Sequence, residues 1–138
     1  MGKTVYMDGV FDLFHAGHLE TIKNLRKYGD TVVIGVVSDT DALSYKRSPI
    51  IVEKHRVAII EACKYVDQVI FPCPLQVSLP FLKENSIDVV VHSFKNIEDY
   101  EKQKDFFKEI PLIIAQYSDE INTSDIIQKI INLNILCT

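Results

Sequence analysis

Hydrophobic positions change period several times along the chain, and the changes mark out its elements. Residues 4–7 read as a short buried strand, after which Leu19, Ile22, Leu25 and Tyr28 recur at helical spacing. Gly29 and Asp30 make a turn into residues 31–38, a near-continuous apolar run of the kind found in strands covered on both faces of a parallel sheet. Periodicity fades over residues 39–49, and residues 45–49 within that stretch read as an exposed loop carrying the adjacent cations Lys46 and Arg47. Helical spacing returns over residues 53–65 through Val57, Ile60 and Cys63, and a strand is expected at residues 66–71. Residues 75–85 can form a helix if Pro80 sits in its first turns. A fourth strand follows at residues 87–92. A charged surface helix at residues 97–108 then places Tyr100, Phe106 and Phe107 on a candidate buried stripe. Residues 111–116 make a fifth strand, and Thr123, Ser124 and Asp125 cap a last helix whose Ile126, Ile127, Ile130 and Ile131 stripe is expected to face the core.

Strands alternate with helices throughout, without repeats or linkers. Right-handed crossovers then predict one α/β domain over residues 1–138: a Rossmann-like, doubly wound, five-stranded parallel sheet in the order 3-2-1-4-5. A chain of 138 residues can bury one core but not two.

Charge and cysteine content exclude several function classes. With 15 basic and 19 acidic residues the net charge is −4, and no basic run marks a nucleic-acid partner. Cys63, Cys73 and Cys137 are widely spaced and include no Cys-x-x-Cys pair, so neither a disulfide framework nor a zinc site is expected. No apolar run approaches membrane-spanning length, and residues 1–3 lead at once into a strand. Tyr6 and Met7 stand where a myristoylation pattern expects Ser or Thr. A cytoplasmic protein without membrane attachment is the expectation.

The chemistry concentrates between the first strand and the first helix, in Asp8-Gly9-Val10-Phe11-Asp12-Leu13-Phe14-His15-Ala16-Gly17-His18. In an open parallel sheet this turn lies at the carboxyl end of a strand, where crevices form and helix N-termini point free N–H groups at anions. His15 and His18 can donate to the same phosphate oxygens, and Gly17 between them permits close approach of backbone and ligand.

Gly9-Val10-Phe11-Asp12 followed by His15-Ala16-Gly17-His18 resembles the signature of the nucleotidyltransferases that include the cytidylyltransferases, most closely the choline- and ethanolamine-phosphate branch. Three further segments are similar in order and spacing: residues 35–39 with Lys46 and Arg56, residues 65–69 with Asp67, and residues 121–127 with Thr123 and Ser124. The resemblance thus covers nearly the whole chain. It implies transfer of CMP from CTP to a small phosphorylated alcohol or amino-alcohol, with release of pyrophosphate. His15 and His18 would hold the α-phosphate and leaving group, and Lys46 with Arg47 would draw the two anions together. Thr123 and Ser124 would offer hydroxyl and backbone donors to the β- and γ-phosphates. Gly9, Val10, Phe11, Asp12, Gly17, Arg56 and Asp67 complete the implied nucleotide site, and His92 and Phe94 the acceptor site. The resemblance also implies Mg2+ held mainly by nucleotide phosphates, and a homodimer packed around residues 65–69. Such catalysis is positioning plus electrostatic stabilisation, in which one lost donor costs about 2.7–4 kcal/mol.

Several of these residues have plainer readings. Asp12 can simply tie backbone around the turn, Thr123 and Ser124 can be ordinary helix caps, Arg56 can pair with Glu53, and Arg47 can be a solvated loop cation. Two stretches also depart from the resemblance. Tyr117 stands where the closing motif begins with arginine and Glu120 where it has glycine, while Ser93-Phe94-Lys95 replaces paired aspartates after the fourth strand. Phe94 and Tyr100 supply aromatic surface for a cationic headgroup, but no acid follows before Glu98. These departures leave two alternatives: an adenylyltransferase of the same superfamily, which Lys46-Arg47-Ser48-Pro49 also resembles, and a catalytically impaired nucleotide-binding relative.

Overall fold

The structure, a computed structural model, describes residues 2–116 and 121–137, with side chains described through residue 134. Five strands form one parallel sheet: β1 (Thr4–Gly9), β2 (Thr31–Val36), β3 (Gln68–Ile70), β4 (Val89–His92) and β5 (Leu112–Ile114). Their order is β3-β2-β1-β4-β5, the doubly wound order that the strand and helix alternation predicts. β1 lies at the centre, with Val5 opposite Val32 on one side and opposite Val89 on the other.

Alternation along the strands divides the core between the two faces. Val5, Met7, Val32, Ile34, Val36 and Val91 join one cluster with Ile22, Leu25 and Ile60 from helices, whereas Tyr6, Val33 and Val90 join the other with Leu82 and Ile87. Both faces of the central strands are therefore buried, which explains their unbroken apolar runs. The helices are α1 (Ala16–Asn24), α2 (Asp39–Tyr45), α3 (Glu53–Ala62), α4 (Leu79–Glu84), α5 (Ile97–Gln103) and α6 (Thr123–Cys137). 3-10 turns follow α1 at Leu25–Lys27 and α5 at Lys104–Phe107.

Four expectations need correction. Residues 39–45, where no periodic element is expected, are helical: the Ser38 hydroxyl accepts from the Asp41 N–H at 3.1 Å, and only Ala42 of α2 is buried, so no apolar period announces the helix. Strand β3 is reduced to three residues, because α3 stops at Ala62 and a turn in which the Val66 N–H donates to the Cys63 carbonyl intervenes. The aromatic stripe after β4 is only partly inward, with Phe107 half-buried and Phe106 exposed. The apolar stripe of α6 does not lie wholly on the core either. Ile126 and Ile127 are half-buried, but Ile130 is 56% exposed, and every side chain from residue 128 to 134 faces solvent. Among the described side chains of α6, those of its first turns meet the domain.

Candidate functional site

The strand order reverses between β1 and β4, and at their carboxyl ends an open cleft of about 570 Å³ is lined by the β1–α1 turn, Lys46, Arg47, His92, Ser93, Lys95 and the start of α6. The turn is conformationally demanding. Phe11 and Leu13 adopt left-handed backbone angles of φ 56° and 49°, which costs a non-glycine residue roughly 1–2 kcal/mol. Burial of the Phe11 ring offsets the strain and places its edge on His18, with ring centres 5.6 Å apart.

The two histidines are held by the helix they start. His15 is the N-cap of α1: its Nδ1 accepts from the Gly17 N–H at 3.0 Å, while His18 Nδ1 accepts from the His15 N–H at 3.3 Å. These acceptor roles fix both neutral rings with their protons on Nε2. The rings stack at 3.8 Å between centres, and Phe14 also stacks on His18, at 5.4 Å. Burial, helped by His15 and Lys46, pushes His18 down to about 4, and burial lowers His15 as well. Both rings are therefore neutral N–H donors at pH 7. The Nε2 of His15 is buried at the cleft wall and has no partner among the described residues. Gly17 is required here, because a Cβ would sit 2.8 Å from His15 Cε1 and 3.0 Å from the Ile121 carbonyl oxygen.

Asp12 organises the opposite lip. It is 3% exposed; its Oδ1 accepts from the Ile51 N–H at 2.8 Å, and its Oδ2 from the Ile50 N–H at 2.8 Å and Arg47 at 2.9 Å. Burial pushes its pKa up, but those two N–H groups and Arg47 together outweigh burial and hold the carboxyl below the usual range. Asp12 thus ties the loop after α2 to the β1–α1 turn, the plainer of its two readings. Arg47 is half-buried and held by that carboxylate, whereas Lys46 makes no ion pair among the described residues. Burial, with Arg47 and Lys95 nearby, lowers Lys46 below its ordinary value.

The start of α6 closes the cleft. Its cap is Asn122, whose Oδ1 accepts from the Asp125 N–H at 2.8 Å, rather than Thr123 or Ser124. Thr123 Oγ1 donates to the Asp12 carbonyl at 2.9 Å, so its proton is engaged within the protein, a correction to its expected role as a hydroxyl donor. Ser124 and the first N–H groups of the helix remain as donors toward the cleft.

Two of the sequence candidates lie elsewhere. Arg56, 1% exposed, is outside the cleft lining and pairs with Asp39 at 2.8 Å rather than with Glu53. Asp67 stands at the β2–β3 edge, where its Oδ2 accepts from the Val32 N–H at 2.8 Å and meets Arg26 at 2.9 Å. Gly9, Val10, Phe11, Asp12, His15, Gly17, His18, Lys46, Arg47, His92, Thr123 and Ser124 all line the cleft. Phe94 does not; it packs edge-on against His92 at 4.8 Å and against Tyr100 at 5.2 Å, and so positions the loop after β4. Tyr117 and Glu120 lie outside the described residues.

Sequence reasoning assigned no role to Asp8. Burial pushes its carboxyl up to about 6, and it sits in the cleft on the strand face that also carries Tyr6. An acid at the end of a buried apolar strand was the available signal.

Comparison with known proteins agrees with this geometry. A family model described as Cytidylyltransferase-like matches residues 6–133. The chain belongs to the cytidylyltransferase-like family. Within it, the chain is 36% identical over 138 residues to an ethanolamine-phosphate cytidylyltransferase of Arabidopsis thaliana, an alignment covering 94% of this chain and 32% of that protein. It is 34% identical over 135 residues to a choline-phosphate cytidylyltransferase of Saccharomyces cerevisiae, covering 92% and 31%. The chain thus spans about a third of the length of these relatives. A crystal structure of the lipopolysaccharide core biosynthesis protein from Thermoplasma volcanium superposes with a TM-score of 0.67 at 28% identity, covering 86% of this chain and 98% of that one. Among the described residues no helix is long and apolar enough to cross a membrane.

Proposed function

We propose that this cytidylyltransferase-like chain transfers CMP from CTP to a small phosphorylated alcohol or amino-alcohol and releases pyrophosphate. The observation that carries the reading is the buried Nε2 of His15, without a partner among the described residues, on a ring stacked on His18 at the cleft beside the N-terminus of α6. An oxygen of the acceptor phosphate attacks the α-phosphorus as the bond to the β-phosphate oxygen breaks, and charge builds on the equatorial oxygens. The Nε2–H groups of His15 and His18 donate to those oxygens without needing to be charged. Lys46 and Arg47 lower the repulsion between the two anions, and the first N–H groups of α6 receive the leaving pyrophosphate. Asp8 gives the cleft floor a carboxylate suited to an amino-alcohol ammonium.

Mg2+ would enter on the nucleotide phosphates and screen them. The donor set fits that arrangement, since Asp12 is saturated by its own partners and no cluster of three metal-ligating side chains occurs among the described residues. We further place the protein in the cytoplasm as a homodimer through residues 65–69, next to the edge strand β3. A concentration-independent monomer mass in solution would contradict the dimer.

The test is pyrophosphate release with Mg2+ and each of CTP, ATP, GTP and UTP, offered phosphoethanolamine, phosphocholine or glycerol 3-phosphate. CTP with one acceptor is expected to turn over, and His18→Ala to slow it about 10²–10³-fold. Release from no pair by the wild type would overturn the reading, and turnover with ATP alone would replace it with adenylyl transfer.

A further inference from the structure

Lys95 is a cation in the cleft that the reading above does not use. It follows β4, while Lys46 follows α2 and therefore comes from the β2 side, so the two flank the end of β1 from opposite sides of the sheet. The backbone of Lys95 is anchored: its N–H donates to Asp99 Oδ2 at 2.9 Å, and Asn96 beside it caps α5 by accepting from the Asp99 N–H at 2.8 Å. Phe94 is wedged against His92 and Phe107, which fixes the loop from the other end. No carboxylate among the described residues pairs with the ammonium of either Lys46 or Lys95. Asp12 is already engaged by Arg47 and two N–H groups, and Asp99 is turned to the Lys95 backbone and to Gln103. The two ammonium groups feel each other's charge, which is one reason Lys46 titrates below its ordinary value.

Two cations on one cleft, neither ion-paired among the described residues, favour a shared dianion. The nucleotide phosphates already have the histidine pair and the N-terminus of α6, whereas the second substrate brings its own phosphomonoester. We propose that Lys95 is a specificity-determining residue that, with Lys46, grips the phosphate of the acceptor rather than the phosphates of the nucleotide. The inference rests on the reading of the cleft as a transferase site. It makes a phosphomonoester dianion the required class of acceptor. Binding energy then comes from the phosphate more than from the headgroup, and the loop can do without the acids it lacks after His92.

The probe is phosphoethanolamine, followed both by calorimetric binding to the protein without nucleotide and by acceptor KM during turnover with CTP. Lys95→Ala is expected to weaken phosphoethanolamine about tenfold in both measurements while the KM for CTP stays within about twofold, and Lys95→Arg is expected to restore binding. An unchanged dissociation constant in Lys95→Ala, a matching rise in the KM for CTP, or a wild type that binds neither phosphoethanolamine nor glycerol 3-phosphate would overturn the proposal. Absence of pyrophosphate release by the wild type would instead remove the transferase reading, and the dissociation constants would still decide the role of Lys95.

Discussion

Replacing Arg56 with methionine tests how the cleft is supported. The guanidinium is wholly buried and makes four hydrogen bonds: Nε to the Ile51 carbonyl at 2.9 Å, one terminal nitrogen to the Val10 and Val37 carbonyls at 2.7 and 2.8 Å, and the other to Asp39 at 2.8 Å. Asp39 is itself braced by Glu53, each accepting from the other's N–H at 2.9 and 3.2 Å. Methionine matches the aliphatic stem but leaves three carbonyl oxygens without their donor and Asp39 Oδ1 without its cation. Each buried carbonyl left without a donor costs about 1–3 kcal/mol, while Asp39, 35% exposed, turns to water, so the loss is about 3–5 kcal/mol in all. That is a large share of a net stability of roughly 5–15 kcal/mol. The urea midpoint should fall accordingly with an unchanged slope, and the melting temperature by roughly 10–20 °C. Arg56→Lys should recover little, because an ammonium cannot reproduce a fork aimed at three loops. A loss below about 1 kcal/mol for Arg56→Met would refute the view that this residue, and not the sheet alone, holds the turn after β1 against the loops around α2.

Three further outcomes follow from the same geometry. His18 titrates near 4 when folded and near 6.5 when unfolded, so on acidification the unfolded chain takes up its proton first; stability present above pH 6.5 should drain away down to about pH 4, and His18→Gln should flatten that dependence in urea titrations. His15→Phe keeps a ring in the stack but removes both the cap and the free N–H; it should lose about 1 kcal/mol of stability and also the thermal stabilisation by Mg-CTP, and retention of the latter would remove His15 from the phosphate site. Gly35→Ala would drive a methyl into the Tyr6 hydroxyl and to 2.8 Å from Cys73 Cβ, destabilising by about 1–3 kcal/mol; partial relief by adding Tyr6→Phe, read from the urea midpoint, checks the clash.

The parallel sheet was legible because its central strands bury both faces and so write unbroken apolar runs at β1, β2 and β4. α2 was not legible, since a helix with one buried alanine leaves no apolar period and announces itself only through the Ser38 cap. The apolar stripe of α6 misled in the other direction: helical spacing of isoleucines says that they share a face and not that the domain covers it. Within the site, His15 and His18 were legible from spacing alone, as their reciprocal caps are local. The roles of Asp12 and Arg56 were not. Asp12 acts through N–H groups 38 and 39 residues away and Arg56 through carbonyls 5, 19 and 46 residues away, and no side-chain pattern encodes a backbone partner. Asp67 and Arg56 sit in segments that resemble nucleotide-site motifs, yet here both serve as braces between loops and strands.

The hydrogen bond from Thr123 to the Asp12 carbonyl joins positions 111 residues apart. During synthesis on the ribosome, the histidine turn and the four strands through β4 can all emerge before the wall that completes the cleft has been made. A nascent or prematurely terminated chain could therefore carry an intact HxGH turn and still lack a closed anion site. Such long-range closure also slows the last step of folding, because a loop spanning most of the domain must be ordered before its contacts repay the entropy. Closure of the cleft thus waits until the start of α6 has been made, and a fragment ending at β4 should leave it open however well its strands pair.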